Sequence, residues 1–254
     1  MQPISAVIIT KNEERNIART INAIKQVADE IIIVDSFSTD KTVEIAESLG
    51  ASVFQLTWQG FGPQKNFGNA KASHNYILAL DADEVLTAEA IQEVNGLKKT
   101  GMNGVYEFKL IHYYFGKFLK HGLETPSYKK RLFDKTVVTW NENLLHEALI
   151  IPGNYPIIKL KGFVEHYSYH SIEHYLTKSN FYTTLGAEKL YKKGRRNYAF
   201  KMMVSPGFVF FKFYILKLGF LDGLHGWIVA RLHMQTDFIK YAKLRELIKN
   251  KNND

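Results

Sequence analysis

The sequence predicts an α/β fold in which a mostly parallel sheet is flanked by helices and followed by a C-terminal helical appendage. Three observations lead to this prediction. Strand-like and helix-like patterns alternate through the first 100 residues, polar residues gather directly after the strands, and basic residues are concentrated in the last third. Such alternation is typical of parallel strands joined by right-handed crossovers, which bind ligands at the carboxyl ends of the strands.

The strands of the first half are short apolar runs that end in a polar residue. Such runs occupy residues 4–10, 30–35 and 51–56, and the first two end in Thr10 and Asp35. Nearly continuous apolar strands are typical of a sheet that is covered on both faces.

The helices between these strands are predicted from spacing and from end signals. Asn12 is predicted to cap a helix that carries apolar residues at helical spacing from Ile17 onwards. Residues 42–49 are predicted to form a second helix, closed by Gly50.

A fourth strand pattern, at residues 76–80, runs directly into acid, with Asp81, Asp83 and Glu84 within four positions. Strand alternation directs Asp81 and Asp83 to the same face, where two like charges are costly unless a cation neutralises them. Oxygen ligands of this kind suit Mg²⁺ or Mn²⁺, which commonly bridges carboxylates to the phosphates of a substrate. The segment therefore predicts a divalent metal site, with a solvated acidic loop as the alternative.

The two common glycine-rich phosphate loops are absent from the chain. Neither the dinucleotide fingerprint nor the P-loop follows the first strand, and Gly60-Phe61-Gly62 indicates an ordinary turn. A cation on the acidic strand end, helped by Lys65 and Lys11, is the predicted means of holding a phosphate.

Four segments of the first half, SAVIITKNEE, EIIIVDSFSTDKT, QKNFGNA and LALDADE, resemble the nucleotide-sugar half of family 2 glycosyltransferases. Those enzymes have the GT-A fold. The later segments KKRLFD, LLHEAL, HYSYHSIEHYL and GFLDGLHG resemble a subgroup of small bacterial enzymes that add glucose or a related sugar to the inner core of lipopolysaccharide. The resemblance extends over residues 3–245. It implies an inverting transfer from a UDP-sugar, with UDP-glucose expected, to a lipid-linked saccharide acceptor.

The same resemblance implies roles for individual residues. The segment 10–13 would border the base and ribose, and Asp35 would hydrogen-bond the uracil or ribose. Lys65, in a turn at residues 64–66, would lie close to the diphosphate. Asp83 would be the main metal ligand, Asp81 would contact the ribose or the metal, and a late histidine, His166, would add a further metal or diphosphate contact. The complete set of residues expected at the donor comprises Thr10, Asn12, Glu13, Asp35, Ser36, Asp40, Lys65, Asp81 and Arg131.

Several of these residues have a simpler structural interpretation. Asp40 is equally suited to cap its helix, and Glu13 to complement the dipole of the helix that follows it. Lys65 has the alternative of a solvated surface lysine. Arg131 has the geometry for a bidentate clamp on a phosphate or an acidic sugar, and the alternative of a basic turn before a strand.

A single displacement at the anomeric carbon needs a general base on the acceptor side. The candidates are Glu142, His146, Glu147, Glu165 and His166. The His-Glu pair matches the acceptor-side position of the subgroup. Glu147 is therefore preferred as the base, with His146 orienting it or touching the diphosphate, and Glu142 is held in reserve. The chain lacks the Glu-Asp pair that many family 2 members use here.

Length and composition suit one α/β domain with an appendage. The expected divisions are residues 1–100 for the nucleotide-sugar half, 101–170 for the acceptor half of the same domain, and 171–254 for a basic helical region. The absence of cysteine excludes thiolate zinc sites and disulfides and fits a reducing cytoplasm. No signal peptide is expected, since residues 1–10 pass directly into a strand.

Charge is distributed unevenly. Residues 171–254 contain 15 Lys and Arg against 6 Asp and Glu, whereas residues 1–170 contain 18 against 19. The apolar stretch 204–221 is interrupted by two lysines, which favours amphipathic helices lying on an anionic bilayer over a membrane span. A helical subdomain with its apolar face packed on the core or in a dimer is the alternative.

The expected location is therefore the cytoplasm, peripheral on the inner face of the cytoplasmic membrane. Nucleic-acid binding is not expected, because the basic third carries no recognisable RNA-binding motif. Two rival interpretations remain. One is another GT-A-like enzyme, either a polyprenyl-phosphate glycosyltransferase or a sugar nucleotidyltransferase, the latter disfavoured by the missing glycine-rich loop. The other is a non-catalytic scaffold in envelope assembly.

Overall fold

The structure is a computed structural model that describes residues 1–122, 127–142 and 147–253. These residues form two compact units. The first comprises Met1–Leu110 with Ser127–Tyr167, and the second comprises Ile111–Pro126 with Ser168–Asp254. The segment 101–170, expected to complete the first domain, is thus divided between the two units.

The secondary structure follows the predicted alternation in its first half. The strands are β1 (Ile4–Thr10), β2 (Glu30–Asp35), β3 (Ser52–Gln55), β4 (Tyr76–Asp81), β5 (Glu84–Leu86), β6 (Val105–Tyr114), β7 (Lys117–Phe118), β8 (Ser127–Asp134), β9 (Thr139–Trp140), β10 (Leu149–Ile150) and β11 (Ile157–Tyr169). The helices are α1 (Ile17–Ile24), α2 (Thr42–Ser48), α3 (Phe61–Lys71), α4 (Ala88–Thr100), α5 (Ile172–Lys192), α6 (Tyr198–Phe211) and α7 (Leu224–Asn253).

The first four strands lie in the order β3-β2-β1-β4 and are mutually parallel. In this register Thr10 pairs with Asp35, and Ile9 pairs with Asp81. The polar residues that end these strands therefore meet at one edge of the sheet, as the sequence predicted.

The later strands extend the same sheet with antiparallel pairs. β8 adds to β4, β6 adds to β8, and β11 pairs with β5. The sheet is therefore mixed, and its first four strands are its parallel β3-β2-β1-β4 part. The α/β class and the C-terminal helices are as predicted.

Apolar residues of the strands are buried on both faces of this sheet. Ile8 and Ile33 join the core that includes Ile17 of α1, whereas Val7 and Val34 belong to a second core on the opposite face. Double-sided burial explains why β1 and β2 are almost continuously apolar, since each successive side chain enters one core or the other.

Two local predictions are wrong. α1 begins at Ile17 after Asn16 and not after Asn12, because Asn12 adopts a left-handed φ of 55° and its side chain accepts a hydrogen bond from the Thr39 N–H. Residues 64–66 are helical and not a turn, since they lie inside α3. Helix α3 packs closely on the sheet: a Cβ at Gly68 would approach Val7 Cγ1 to 2.4 Å.

The second unit is mainly helical. Its helices α5 and α7 are joined by a 2.8 Å hydrogen bond between the Tyr175 and Thr236 hydroxyls. After α6 the chain forms a π-helical turn, Lys212–Leu216, and a 3₁₀ turn, Gly219–Asp222, before it enters α7.

One helical stretch of the described residues, Tyr198–Leu216, is long and apolar enough to cross a membrane by length and composition. A core helix of a soluble protein passes the same test but is mostly buried, whereas only 11% of this stretch is buried. The stretch begins upstream of the segment 204–221 considered from the sequence and stops before Lys217.

Candidate active site

The predicted site residues of the first unit gather where the parallel strands end. β1 ends at Thr10, β2 at Asp35 and β4 at Asp81. The chain then turns at residues 82 and 83 and enters β5 at Glu84. Because β4 ends at Asp81, strand alternation no longer relates Asp81 to Asp83, and the two carboxylates have different partners.

Asp81 is held by two cations of the protein. Lys65 Nζ lies 3.0 Å from Asp81 Oδ1, and Arg131 Nη2 lies 2.9 Å from Asp81 Oδ2. The same lysine lies 2.9 Å from Glu147 Oε1, and the same guanidinium contacts Glu84. Lys65, Arg131, Asp81, Glu84 and Glu147 therefore form one connected network, which we call the ionic network.

The ionic network is largely buried. Lys65 is 1% exposed, Arg131 is 4% exposed and Glu84 is fully buried. Lys65 is thus not the solvated surface lysine considered as its alternative. Arg131, assigned from sequence to a phosphate or an acidic sugar, has protein carboxylates as its described partners, because a buried acid such as Glu84 requires a cation nearby.

Burial and charge move the pKa values of these groups in opposite directions. Burial raises the pKa of Asp81, but Arg131 and Lys65 outweigh it and hold that pKa well below its usual value. Burial raises the pKa of Glu84, and the Asp81 carboxylate adds to this, although Arg131 opposes it. Of the two acids, Asp81 is therefore the one that more readily stays ionised, and both contact the guanidinium of Arg131.

Asp83 has a different partner, His166 of β11. The distance between Asp83 Oδ2 and His166 Nε2 is 3.2 Å, and Asp83 is 8% exposed. Burial lowers the pKa of His166, but the Asp83 carboxylate outweighs this and raises the pKa to about 9. Two of the three residues predicted as metal ligands, Asp83 and His166, thus face each other, 83 positions apart in the chain.

Asp83 and His166 could supply part of the coordination shell of a divalent cation. Among the residues that the structure describes, no group of three or more His, Asp or Glu side chains is arranged to hold a metal ion. The carboxylate oxygen nevertheless suits Mn²⁺ or Mg²⁺, which commonly completes its shell with water and substrate phosphates. Asp81 is the less suitable ligand, since each of its oxygens already faces a cation.

The edge beside β2 has a different chemistry, rich in short polar side chains. Asp35 is fully buried and accepts hydrogen bonds from the backbone N–H and the hydroxyl of Ser38. Gln64 of α3 donates 2.8 Å to the Ser36 hydroxyl and 3.2 Å to the Leu56 carbonyl. Asp35 is therefore fixed in orientation at the position expected to contact the base or ribose.

Asp40 and Glu13 make contacts within the protein. The Asp40 carboxylate accepts hydrogen bonds from the N–H of Thr42, in the first turn of α2, and from the N–H of Glu14. Asp40 therefore binds the first turn of α2 from the position before the N-cap residue, Lys41. Glu13 Oε2 accepts a 2.7 Å hydrogen bond from the amide of Asn16, the residue that precedes α1.

Two further residues at the site were not identified from the sequence. Lys65 Nζ lies 4.8 Å from the centroid of the Trp140 ring. The Asn66 side-chain amide donates a 2.9 Å hydrogen bond to the Trp140 carbonyl and accepts a 3.1 Å hydrogen bond from the backbone N–H of Trp140. No local pattern signals these contacts, since Trp140 is more than 70 positions from both Lys65 and Asn66.

The candidate bases differ in their surroundings. Glu147 is about one-fifth exposed and contacts buried Lys65. Glu142 is exposed, and Glu165 accepts a 3.0 Å hydrogen bond from the Tyr167 hydroxyl. His146 lies outside the described residues. Glu147 is therefore the candidate among the described residues that is joined to the ionic network.

Some buried polar atoms at this edge have no hydrogen-bond partner among the described residues. They are the Thr10 hydroxyl, Gln64 Oε1, Arg131 Nε and Trp140 Nε1. Unsatisfied buried groups are rare in proteins, and those at a site commonly bind a ligand or water. A polar, multiply hydrogen-bonding ligand is the kind that this edge of the sheet would accept.

Comparisons with known proteins identify the family of the chain. The family model described as "Glycosyl transferase family 2" matches residues 5–149. A protein of Rickettsia typhi described as an uncharacterized glycosyltransferase is 34% identical over 264 residues, covering 99% of this chain and 90% of that protein. The lipopolysaccharide core biosynthesis glycosyltransferase LpsC of Rhizobium meliloti is 25% identical over 252 residues, covering 95% of this chain and 92% of LpsC.

Solved structures with similar chains include S. aureus TarS 1-349 in complex with UDP. That likeness has a TM-score of 0.49 at 16% identity and covers 98% of this chain and 92% of TarS 1-349. Another is glucosyl-3-phosphoglycerate synthase of Mycobacterium tuberculosis with Mn²⁺ and UDP, at a TM-score of 0.36 and 27% identity over 44% of each chain. On the family match and the near full-length relatives, the chain belongs to family 2 of the glycosyltransferases and has the GT-A fold of that family.

Proposed function

We propose that this glycosyltransferase transfers glucose from UDP-glucose, with inversion and with a divalent metal, to a saccharide of the lipopolysaccharide-core type. The observation that carries the proposal is the junction at Lys65. One buried ammonium group lies within 3.0 Å of both Asp81, at the donor end of β4, and Glu147, the preferred base. Groups suited to the leaving diphosphate and to the attacking hydroxyl are thereby brought to one place.

The nucleoside would lie along the ends of β1 and β2. Asp35 is fixed by Ser38, and Gln64 and Thr10 each have a buried polar atom without a protein partner among the described residues. Hydrogen-bonding groups held rigidly in this way suit the edge of a uracil and the hydroxyls of a ribose.

The metal would be held by Asp83 and His166. When bound, it would neutralise the charge that develops on the departing diphosphate. Because the pKa of His166 is raised to about 9, its ring is protonated at neutral pH in the metal-free protein. Metal binding must therefore release that proton, which makes the affinity for the metal depend on pH.

The displacement balances as a single step. The acceptor hydroxyl oxygen forms a bond to the anomeric carbon while the bond from that carbon to the diphosphate oxygen breaks, and UDP leaves with the electron pair. The Glu147 carboxylate takes the hydroxyl proton. Its contact with Lys65 fixes its orientation, and the exposed fifth of its side chain leaves it accessible to an acceptor.

The acceptor assignment is supported by the name of the relative LpsC, which is similar to this chain over nearly its whole length. A lipid-linked saccharide would place the reaction at the cytoplasmic face of the membrane. A polyprenyl phosphate, the other acceptor consistent with the sequence, differs in presenting a phosphate oxygen and not a sugar hydroxyl.

A thermal-shift panel tests the donor site. Nucleoside diphosphates and nucleotide sugars are each measured with Mn²⁺, Mg²⁺ or EDTA, since a ligand that binds the native state raises the melting temperature. We expect a metal-dependent shift with UDP and a larger or equal one with UDP-glucose. A larger shift with a different UDP-sugar would replace glucose in the proposal, and no shift with any nucleotide would overturn the proposal.

Glu147→Gln tests the base, with Glu142→Gln as the matched control. The amide keeps the size of the side chain but cannot take a proton. We expect Glu147→Gln to retain the UDP shift and to lose at least about 100-fold in turnover, in line with general-base contributions. Glu142→Gln should stay near wild type. A loss confined to Glu142→Gln would transfer the role to that residue.

A further inference from the structure

The second unit carries an exposed apolar stripe along α6 and the π-helical turn that follows it. Phe200, Val204, Phe208, Phe211 and Ile215 recur at helical spacing and are 43–65% exposed. Side chains at such spacing lie on one face of a helix. The stripe is therefore a continuous apolar surface about 22 Å long, at 1.5 Å of rise per residue.

The exposed surface continues around the turn into α7. Leu216, Leu218, Leu221, Leu224 and Trp227 are 44–69% exposed. We call these five residues and the stripe together the outer apolar face. Ten large side chains, each about half exposed, amount to roughly 1,000 Å² at ~200 Å² per side chain. Soluble monomers rarely expose contiguous apolar patches of more than a few hundred Å².

The other side of this segment is occupied within the second unit. The Phe213 ring of the π-helical turn stacks on His233 of α7, with the ring centroids 4.5 Å apart. Gly219 and Gly226 are in close contact, since a Cβ at Gly226 would lie 1.9 Å from the Gly219 carbonyl oxygen. α7 thus covers the inner side of the segment and leaves the outer apolar face exposed.

The charges within the segment that carries this face are all of one sign. Between Lys189 and Leu221 the chain has eight basic residues and no acidic one. The next acid, Asp222, is 4% exposed and accepts hydrogen bonds from the backbone N–H groups of Lys120 and His121. It therefore presents little negative charge to a partner.

An apolar surface bordered by cations matches the boundary between the headgroups and the acyl chains of an anionic bilayer. A second copy of the chain is a poorer partner, because docking two such faces would bring like charges together. A membrane-spanning arrangement is also disfavoured, because α7 packs on this segment and carries exposed Arg231 and half-buried Lys240.

We propose that the outer apolar face inserts into the headgroup–acyl boundary of an anionic bilayer, with α6 lying in the plane of the membrane. The basic residues at the end of α5 and in the following loop then contact lipid phosphates. Insertion does not depend on the transfer reaction, because it uses neither the ionic network nor Asp83. Failure of the membrane proposal would leave UDP binding unchanged, so that the two proposals are tested separately.

Vesicle co-sedimentation of the full chain tests the proposal. We expect the protein to pellet with phosphatidylglycerol-containing vesicles, to pellet weakly with phosphatidylcholine alone, and to be partly released from anionic vesicles by 0.5 M NaCl. The variant Phe208→Asp/Leu224→Asp should lose at least about tenfold in partitioning. The control Ile172→Asp changes a 47% exposed apolar residue on α5 and should bind as wild type does.

A charge variant and a depth probe complete the test. Lys192→Ser/Lys193→Ser should reduce binding to anionic vesicles by roughly 10- to 30-fold, at about 1 kcal/mol for each cation near the surface. Brominated acyl chains should quench Trp227, and Trp227→Phe should bind while losing most of that quenching. All variants should keep the wild-type melting temperature and UDP shift.

Three results would overturn the proposal. The first is wild-type binding by Phe208→Asp/Leu224→Asp. The second is equal, salt-insensitive binding to neutral vesicles. The third is a wild-type protein that does not bind vesicles and is a dimer in light scattering, when Phe208→Asp/Leu224→Asp abolishes that dimer. This result would make the face an interface between copies.

Discussion

Replacing Lys65 by methionine removes the cation at the centre of the ionic network while keeping a side chain of similar length. Its ammonium group lies 3.0 Å from Asp81 and 2.9 Å from Glu147, and the residue is 1% exposed. Removing one member of a buried ion pair typically costs ~3–5 kcal/mol. Asp81 keeps Arg131 and Glu147 is partly solvated, so we expect a loss of about 3 kcal/mol, at the low end of that range.

For a chain of this size such a loss lowers the melting temperature by roughly 6–12 °C, at about 2–4 °C for each kcal/mol. Calorimetry or fluorescence melting measures the change. Lys71→Met is the control, because Lys71 is an exposed lysine on the same helix. We expect it to stay within about 0.5 kcal/mol of wild type.

A double-mutant cycle separates the ion pair from other effects of the substitution. Glu147→Gln removes the carboxylate that Lys65→Met would leave without its cation. Lys65→Met should therefore lower the free energy of unfolding by less in the Glu147→Gln background than in the wild type. We expect a coupling of about 1–2 kcal/mol. A coupling near zero, together with a melting temperature for Lys65→Met equal to that of Lys71→Met, would refute the description of Lys65 as the junction of the site.

Three other predictions concern stability and are measured by melting. Gly68→Ala should destabilise by about 1–3 kcal/mol because its Cβ has no room against β1, whereas the control Gly96→Ala, in open space on α4, should be neutral or stabilising by up to about 1 kcal/mol; equal melting of the two would contradict the packing argument. Burial raises the pKa of Asp29, but Lys98 at 2.7 Å and a backbone N–H lower it overall. The stability from Asp29 is thus present above about pH 4 and lost as the pH falls, so Asp29→Asn should melt below wild type at pH 7, and a gap that persists at pH 2.5 would contradict this. Asp222→Asn should cost about 1–3 kcal/mol, since a buried carboxylate that accepts two backbone hydrogen bonds is lost; unchanged melting would show that these bonds contribute little.

The parallel half of the fold could be predicted because its signals are local. β1 and β2 are apolar runs with a polar end, and the structure gives them the predicted bounds. The start of α1 could not be predicted, because Asn12 is a good capping residue and its left-handed φ depends on a contact with Thr39.

The same distinction applies to the candidate site: residues marked by a local pattern could be predicted, and contacts between distant parts of the chain could not. Asp35 and Asp81 could be found from the sequence because each ends an apolar run, and Asp83 because it lies two positions beyond Asp81. The partners of Asp81 could not, since Arg131 is 50 positions away and comes next to it only when β8 pairs with β4. For the same reason Arg131 appeared free to bind a phosphate, although the fold places it against Glu84.

Helix α3 carries Lys65, and the adjacent Asn66 hydrogen-bonds Trp140 of β9. Gly62 of the same helix lies close to Asn141, since a Cβ at Gly62 would be 1.8 Å from the Asn141 carbonyl oxygen. Trp140 and Asn141, which precede the candidate base Glu147 in the chain, are therefore packed against α3, the helix that carries Lys65. In the proposed function, the groups assigned to the donor and to the acceptor are thus connected through α3. If that function holds, we expect a substitution in α3 that changes donor preference to disturb the acceptor side as well, and to need compensating changes around Trp140.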